Sequence, residues 1–503
     1  MRYLVGGFLA IAVIAFGVFF LRPPAGPDCL KLDPAADTYM RHCAPGQARY
    51  PLPSPRASSG DEDRRAGAEG VTCPRDAVVI EPGEDLASAV ASGAPGTAFC
   101  IRPGIHRILR GLEPKAGQQF IGERGAILNG SKLLTGWSRT DRGWVVGGQT
   151  LEVPPETGPQ CEARPVACYY EDAFFDDRPL ERVLELADLG PGRFYLDYAN
   201  DQIHIADDPT GHELETSAAQ AAFAGAEPNV VVRGLIIEKF TETGIQTGPT
   251  WLVEGNEIRW NHRAGVRQST GTQLKNNYIH RNGQMGIAGQ GSGLLVEGNE
   301  IAYNNYLGFG TLTGGPWSAG ATKWLTTTGL VIRNNWSHHN YGDGFWTDFD
   351  NIEALYENNL VEDNARYGIF HEISGSVQIR NNTIRNNGDA GVFVNSSFDV
   401  EAYDNRILDN GNGVVLVSYP RGDYVLENAH IHDNIIRMAT GYSGVKGAPE
   451  AFSDASNNRF ESNDYIVPRP SNRYWQWNRE LMTISEWRAN GHDGFGAVAA
   501  LAK

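Results

Sequence analysis

From residue 229 onward, short apolar runs with polar residues between them are cut again and again by a dipeptide ending in asparagine. The segments VVRGLII, VEGNEI, LKNNYI, VEGNEI, IRNNWS, YENNLV, IRNNTI, YDNRIL and HDNII put one equivalent position at 235, 256, 277, 299, 335, 359, 382, 405 and 434. Leu235 holds the first place and Asn all the others, at steps of 21, 21, 22, 36, 24, 23, 23 and 29 residues. Each unit also has a second Asn, then Gly and an apolar residue, from Gly265-Val266 to Gly413-Val414. Alternating runs of this length predict strands, and units of about 22 residues cannot bury a core singly but share one when stacked. Asn at a bend satisfies local backbone groups, and equivalent amides on successive coils can bond as a ladder. Leucine-rich repeats are excluded by the missing leucine pattern and helical half-repeat. The expected fold is all-β: a right-handed parallel β-helix over 229–465, with insertions near 311–327 and within 417–430. Asn458 is read as marking a last coil.

The flanks predict other elements. Leu86 and Val90 at helical spacing behind Asp85, then a strand from Ala98 to Arg102, fit an N-terminal cap over a strand edge. The run from AFFDDRPLERV to DDPTGHELETS reads as a small antiparallel β insert, so 73–228 is expected to hold the cap, first coils and insert. Thr483 and Glu486 form a capping box for a helix at 484–490 within a C-terminal cap, 466–503.

At the start, Tyr3 to Leu21 is an uncharged run of nineteen residues between Arg2 and Arg22, long enough to span a bilayer. Residues 1–22 are therefore expected to anchor the chain in a membrane. Residues 23–72, rich in Pro, Gly, Ser and charge, are expected to be a disordered linker. The six cysteines all precede residue 170, an even number suggesting disulfides in an oxidising compartment, with Cys73–Cys100 the first pairing to expect. The bulk is thus placed on the periplasmic or extracellular side. A net charge of −17 excludes the basic footprint of a nucleic-acid binder. A monomer is expected.

Candidate chemistry lies where the repeat is broken. Three residues past each Gly-apolar pair the series runs Ser269, Gln290, Leu312, Asp348, Glu372, Asn395, Val417. Coils stacked ~4.8 Å apart would align Asp348, Glu372 and Asn395, with His371 alongside. The acids share parity with Trp346 and Phe370 and oppose Phe345 and Ile369, so they are expected to face outward beside exposed aromatics. Paired carboxylates fit glycosidase chemistry, and Asp, Glu and Asn oxygens also fit a Ca²⁺ site. His371 fits a general base. The long step adds Lys323 and Trp324, expected with Trp317 on a loop over this wall, and Asp350 extends the patch. Asp348, Glu372, His371 and Lys323 are the catalytic candidates; Trp346, Phe370, Asn395 and Trp324 are those for substrate binding. A solvent-facing polar ladder without chemistry is the competing account.

The coils GLVIRNNWSHHNYGDGFWTD and ENNLVEDNARYGIFHEIS, with AGATKW before them, resemble the exported right-handed β-helix repeat proteins of the pectate-lyase-like superfamily. The similarity runs over roughly 73–490 and takes in FDDRPLERV and EWRANGHDGF. Relatives include pectate, alginate and chondroitin lyases, mannuronan epimerases and several glycosidases. The resemblance implies an extracytoplasmic lyase or hydrolase with a polysaccharide partner, against the alternative of a non-catalytic glycan-binding or structural envelope protein. Ala321–Lys323 is similar to the Ser-Lys of chondroitinase-B-like lyases, whose lysine is the base. Their arginine one coil later is replaced here by Trp346-Thr347-Asp348, and the DPHD box of the epimerases is absent.

Overall fold

The computed structural model describes residues 71–151, 153–311, 318–419 and 421–501. The expected anchor, nearly all of the linker, Cys29, Cys43 and Trp317 lie outside the described residues. No helix among the described residues is long and apolar enough to cross a membrane.

Short strands stack in parallel, coil upon coil, into a 25-stranded and a 13-stranded sheet. Register is kept so closely that one inward column reads Val232, Val253, Leu274, Val296, Ile332, Tyr356, each fully buried. On the second sheet the column is Ile237, Ile258, Ile279, Ile301. Every coil contributes to one continuous core running the length of the stack.

The recurring asparagines form two ladders inside the bends. Asn256 Nδ2 donates to Asn277 Oδ1 at 3.0 Å, and the bond repeats through Asn299, Asn335, Asn359, Asn382, Asn405, Asn434 and Asn463 at 2.9–3.0 Å. Asn463 ends the series on Asp493 Oδ1 at 2.9 Å, and the other Asp493 oxygen accepts from Tyr465 and Trp487. The last coil is thus marked by Asn463; Asn458 instead donates to the Leu426 and Ala451 carbonyls. The second ladder joins Asn261, Asn282, Asn304, Asn340, Asn364, Asn387 and Asn410 at 2.8–3.0 Å.

The residue before each ladder Asn has positive φ, which explains the dipeptide. Asn276, Asn334, Asn358 and Asn381 lie between φ 52° and 56°, and Asp404 and Asp433 do the same work. Asn and Asp tolerate this left-handed conformation, which turns the chain and aims the next amide inward. The Gly of each Gly-apolar pair has a different reason. A Cβ on Gly368 would lie 2.6 Å from the Gly391 carbonyl oxygen and 2.9 Å from the Asn387 amide nitrogen. Close passage beneath the second ladder requires glycine there.

Helix Leu86–Ser92 is N-capped by Asp85, and its Leu86 and Val90 enter the shared core. Helix Ile484–Ala489 has the Thr483–Glu486 capping box and buries Trp487 in the same core. Between residues 131 and 217 a four-stranded and a five-stranded sheet fold around a small core of their own. Buried Lys239 fastens this insert to the coils through ion pairs with Glu215 and Asp177. The expected Cys73–Cys100 disulfide is present, and Cys161 pairs with Cys168.

Asn382 uses its whole hydrogen-bonding capacity: it donates to Tyr356 O, Arg380 O and Asn405 Oδ1 and accepts from the Asn359 backbone and side-chain amides. Asn382→Ala orphans buried groups on both neighbouring coils and is expected to cost ~2–3 kcal/mol. Asn381→Gly, which keeps the left-handed bend, is expected to change stability by less than ~1 kcal/mol. Urea unfolding of both variants checks the contrast.

Candidate active site

Four neighbouring strands build the wall: Gly320–Thr328, Phe345–Asp348, Ile369–Glu372 and Ala390–Asn395. Asp348 pairs with Glu372 and Glu372 with Asn395, the alignment read from the repeat. Trp346, Phe370 and Phe393 form the parallel row. Alternation sends Phe345, Thr347, Ile369 and His371 into the core and turns both acids outward.

The structure corrects four expectations. His371 does not stand beside the acids: it is completely buried, with Nδ1 bonded to Thr347 Oγ1 at 2.8 Å. Thr347 also meets the Tyr356 hydroxyl at 2.9 Å, so a short polar chain runs through the interior. Burial without a countercharge drives the His371 pKa down to about 3, leaving a neutral core imidazole. Trp324 likewise belongs to the core, donating through Nε1 to Gln268 Oε1 at 3.0 Å. Lys323 is not on an overhanging loop; it sits within a nine-residue strand, and parity points it at the wall. Lastly, the aromatic row is covered. Trp346 and Phe370 are 3% and 5% exposed, stacked at 5.1 Å, and Tyr367 stacks on Phe393 at 4.3 Å.

Each acid has its own cation. Lys323 Nζ lies 2.8 Å from Asp348 Oδ2, donates to Ser318 Oγ at 3.0 Å and sits 3.7 Å above the Trp346 ring. Glu372 Oε1 accepts from Asn395 Nδ2 at 3.0 Å and from Arg421 Nη1 at 3.1 Å. Burial, and then the charge of Asp348, push the Glu372 carboxyl up to about 7 against the pull of Arg421 and Lys323. Trp346 Nε1 is buried without a hydrogen-bond partner. The wall therefore holds a carboxyl inclined to keep its proton next to a carboxylate clamped by a lysine, with an unused N–H donor nearby.

Arg421 and Tyr424 were not foreseen. Both come from the insertion within the 29-residue step, and Tyr424 donates to Asp350 Oδ1 at 3.2 Å. The long step signals that an insertion exists; its fold over Glu372 follows from contacts made only in three dimensions. The approach to Lys323 is braced from the other side. Ala163 N donates to Gly310 O at 2.9 Å, Gly310 N to Gln160 O at 2.7 Å, and the Cys161–Cys168 bridge packs on Phe309 and Ala319.

Residues 243–407 and 354–468 match the family model described as the right-handed beta helix region. No curated protein matches the chain by sequence. Among solved structures, XylC in complex with xylose is 13% identical and covers 76% of this chain and 80% of its own, with a TM-score of 0.56. Looser matches include the A-module of the Azotobacter vinelandii mannuronan C-5 epimerase AlgE6 (13% identity, 86% and 95% coverage, TM-score 0.39). Another is the catalytic unit of the Streptomyces thermodiastaticus GH87 alpha-1,3-glucanase (12% identity, 87% and 72% coverage, TM-score 0.44). Sequence repeat, stacked sheets and the likeness to XylC agree: the chain has the right-handed parallel β-helix repeat fold.

Proposed function

We propose that this protein is an extracytoplasmic polysaccharide hydrolase, in which Glu372 is the general acid and Asp348 the paired carboxylate. The observation that carries the reading is the in-register acid pair, each member with its own cation. A protonated Glu372 can deliver its proton to a glycosidic oxygen while Asp348, paired with Lys323, assists at the sugar carbon. Acids on adjacent coils, ~4.8 Å apart by strand spacing, fit the close-set pair of a retaining reaction better than the wider one that admits a water. Lys323 counts against elimination. Its Nζ is already engaged by Asp348, Ser318 and the Trp346 ring, whereas a lyase base has to present its nitrogen to the substrate. Asn395, in register with Glu372 on the wall, is the proposed hydrogen-bonding group for a sugar hydroxyl. XylC, the more similar fold, was solved with xylose, which accords with a saccharide partner but does not select one for this chain.

Calcium has no place in this reading, since Lys323 and Arg421 already neutralise the oxygens a Ca²⁺ would use. The two disulfides support export, and residues 1–22 are the proposed anchor. We take the working unit to be a monomer.

The test is the full chain against a panel of polysaccharides, following reducing ends and the ultraviolet absorbance of unsaturated uronates. New reducing ends without unsaturation, lowered ~10²-fold or more in Glu372→Gln and insensitive to EDTA, are expected. Unsaturated products that vanish in Lys323→Ala would replace hydrolysis with elimination. Polymer binding without any product would make the wall a docking surface.

The same carboxyl sets a pH dependence. Its pKa rises from 4.5 in the free side chain to about 7 in the fold, so between those values the folded chain holds a proton that the unfolded chain has released. Its contribution to stability is therefore fully present below about 4.5 and declines as pH rises through about 7. Activity that needs the protonated acid is expected to fall with rising pH around the same value. Melting curves across this range should slope less steeply for Glu372→Gln than for the unaltered protein; equal slopes would remove Glu372 as the raised group.

A further inference from the structure

Beyond the bend at Ser396 and Ser397, on the face next to the wall, the strand Glu427–His432 carries His430 and His432. Two positions apart on a strand, they present both imidazoles on one side, with side-chain exposures of 24% and 17%. The adjoining strands hold Glu401 and Tyr403 in register below them and Arg459 and Glu461 above. The rings stack at 4.1 Å and reach for carboxylates on opposite diagonals: His432 Nε2 lies 3.4 Å from Glu401 Oε1, and His430 Nε2 lies 3.2 Å from Glu461 Oε2. One ligand atom from each of Glu401, His430 and His432 falls within 4.8 Å of the others.

The second observation concerns orientation. His432 Nδ1 is 2.8 Å from Asp433 Oδ2, an outer carboxylate that orients the ring and turns Nε2 towards Glu401. This is the arrangement that commonly supports a metal-ligating histidine. Tyr403 stacks flat on His432 at 5.1 Å and limits the ring's rotation. Three carboxylates, Glu401, Glu461 and Asp433, outweigh Arg459, which approaches Glu461 only at 4.0 Å.

We propose that Glu401, His430 and His432 form a binding site for a divalent transition metal of the zinc class, with Glu461 as a further oxygen ligand. Two imidazole nitrogens and a carboxylate suit Zn²⁺, while cations that prefer all-oxygen sets are disfavoured. A bound ion would clip strand Phe398–Tyr403 to strand Glu427–His432, the two coils separated by the 29-residue step, and so stiffen the stack where the insertion carrying Arg421 leaves it. The site is independent of the hydrolase reading.

The experiment is calorimetric titration of the EDTA-stripped full chain with Zn²⁺, repeated with Co²⁺ to read ligand geometry from the visible spectrum. One ion per chain is expected, with affinity reduced at least ~10-fold in His430→Asn or His432→Ala and less in Glu401→Gln. These residues lie on the solvent side, so the stripped variants should melt with the stripped parent; Zn²⁺ should then raise the parent's melting temperature alone. His212→Ala, which removes an exposed histidine paired with Asp176, should bind Zn²⁺ as the parent does. Failure of the parent to take up one ion, or undiminished binding by a His430→Asn/His432→Ala double variant, overturns the proposal.

Discussion

Everything in this molecule depends on one amide meeting the next. The ladder asparagines are buried polar groups, tolerable only because each is satisfied by the coil above, the coil below and the bend it occupies. A slip by one residue would strand every amide in the series and turn the apolar columns out to water. Hydrophobic burial drives the coils together; the ladders decide which residues face each other. That division explains why a chain with sparse helix and small glycine-rich coils can hold one register from Asn256 to Asp493.

Strict register creates an electrostatic problem at the wall. Acids on the same column of adjacent coils are forced to within about one strand spacing, where like charges repel by several kcal/mol at an effective dielectric near 20. Three responses are available: protonate one acid, supply cations, or expose both to water. Here Glu372 is pushed towards its protonated form, Lys323 and Arg421 supply charge, and neither acid is left open to solvent. The combination separates the two carboxyls chemically although the repeat makes them equivalent, and general acid–base chemistry needs that asymmetry.

This also shows what the sequence could and could not convey. Strand parity and coil counting identified the Asp348–Glu372–Asn395 column, because both follow from local periodicity. His371 was misread because polarity was taken to mean exposure. Its inward place follows from the same alternation that turns Glu372 outward, and Thr347 and Tyr356 are the core polar groups that make an inward imidazole acceptable. Trp324 failed similarly: Gln268, two coils away, receives its N–H from inside. Arg421 was invisible for another reason, since a loop's return path depends on what it can touch.

The two interruptions to the repeat bear on why the site lies here. The ladder bond across the 36-residue step is 3.0 Å and that across the 29-residue step 2.9 Å, no different from the bonds across regular coils. Extra residues therefore leave the asparagine ladder intact, with the one register shift at the longer step confined to the strand pair between Gly289 and Gly291, and lengthening a loop costs only slowly growing closure entropy. The longer step contains Lys323 and the shorter one carries Arg421, so the two cations reach the same acid pair from opposite ends of the wall. A solenoid can acquire a specific site most readily in this way: the repeat supplies paired acids at fixed spacing, and interruptions that the ladders tolerate supply the unlike groups that differentiate them.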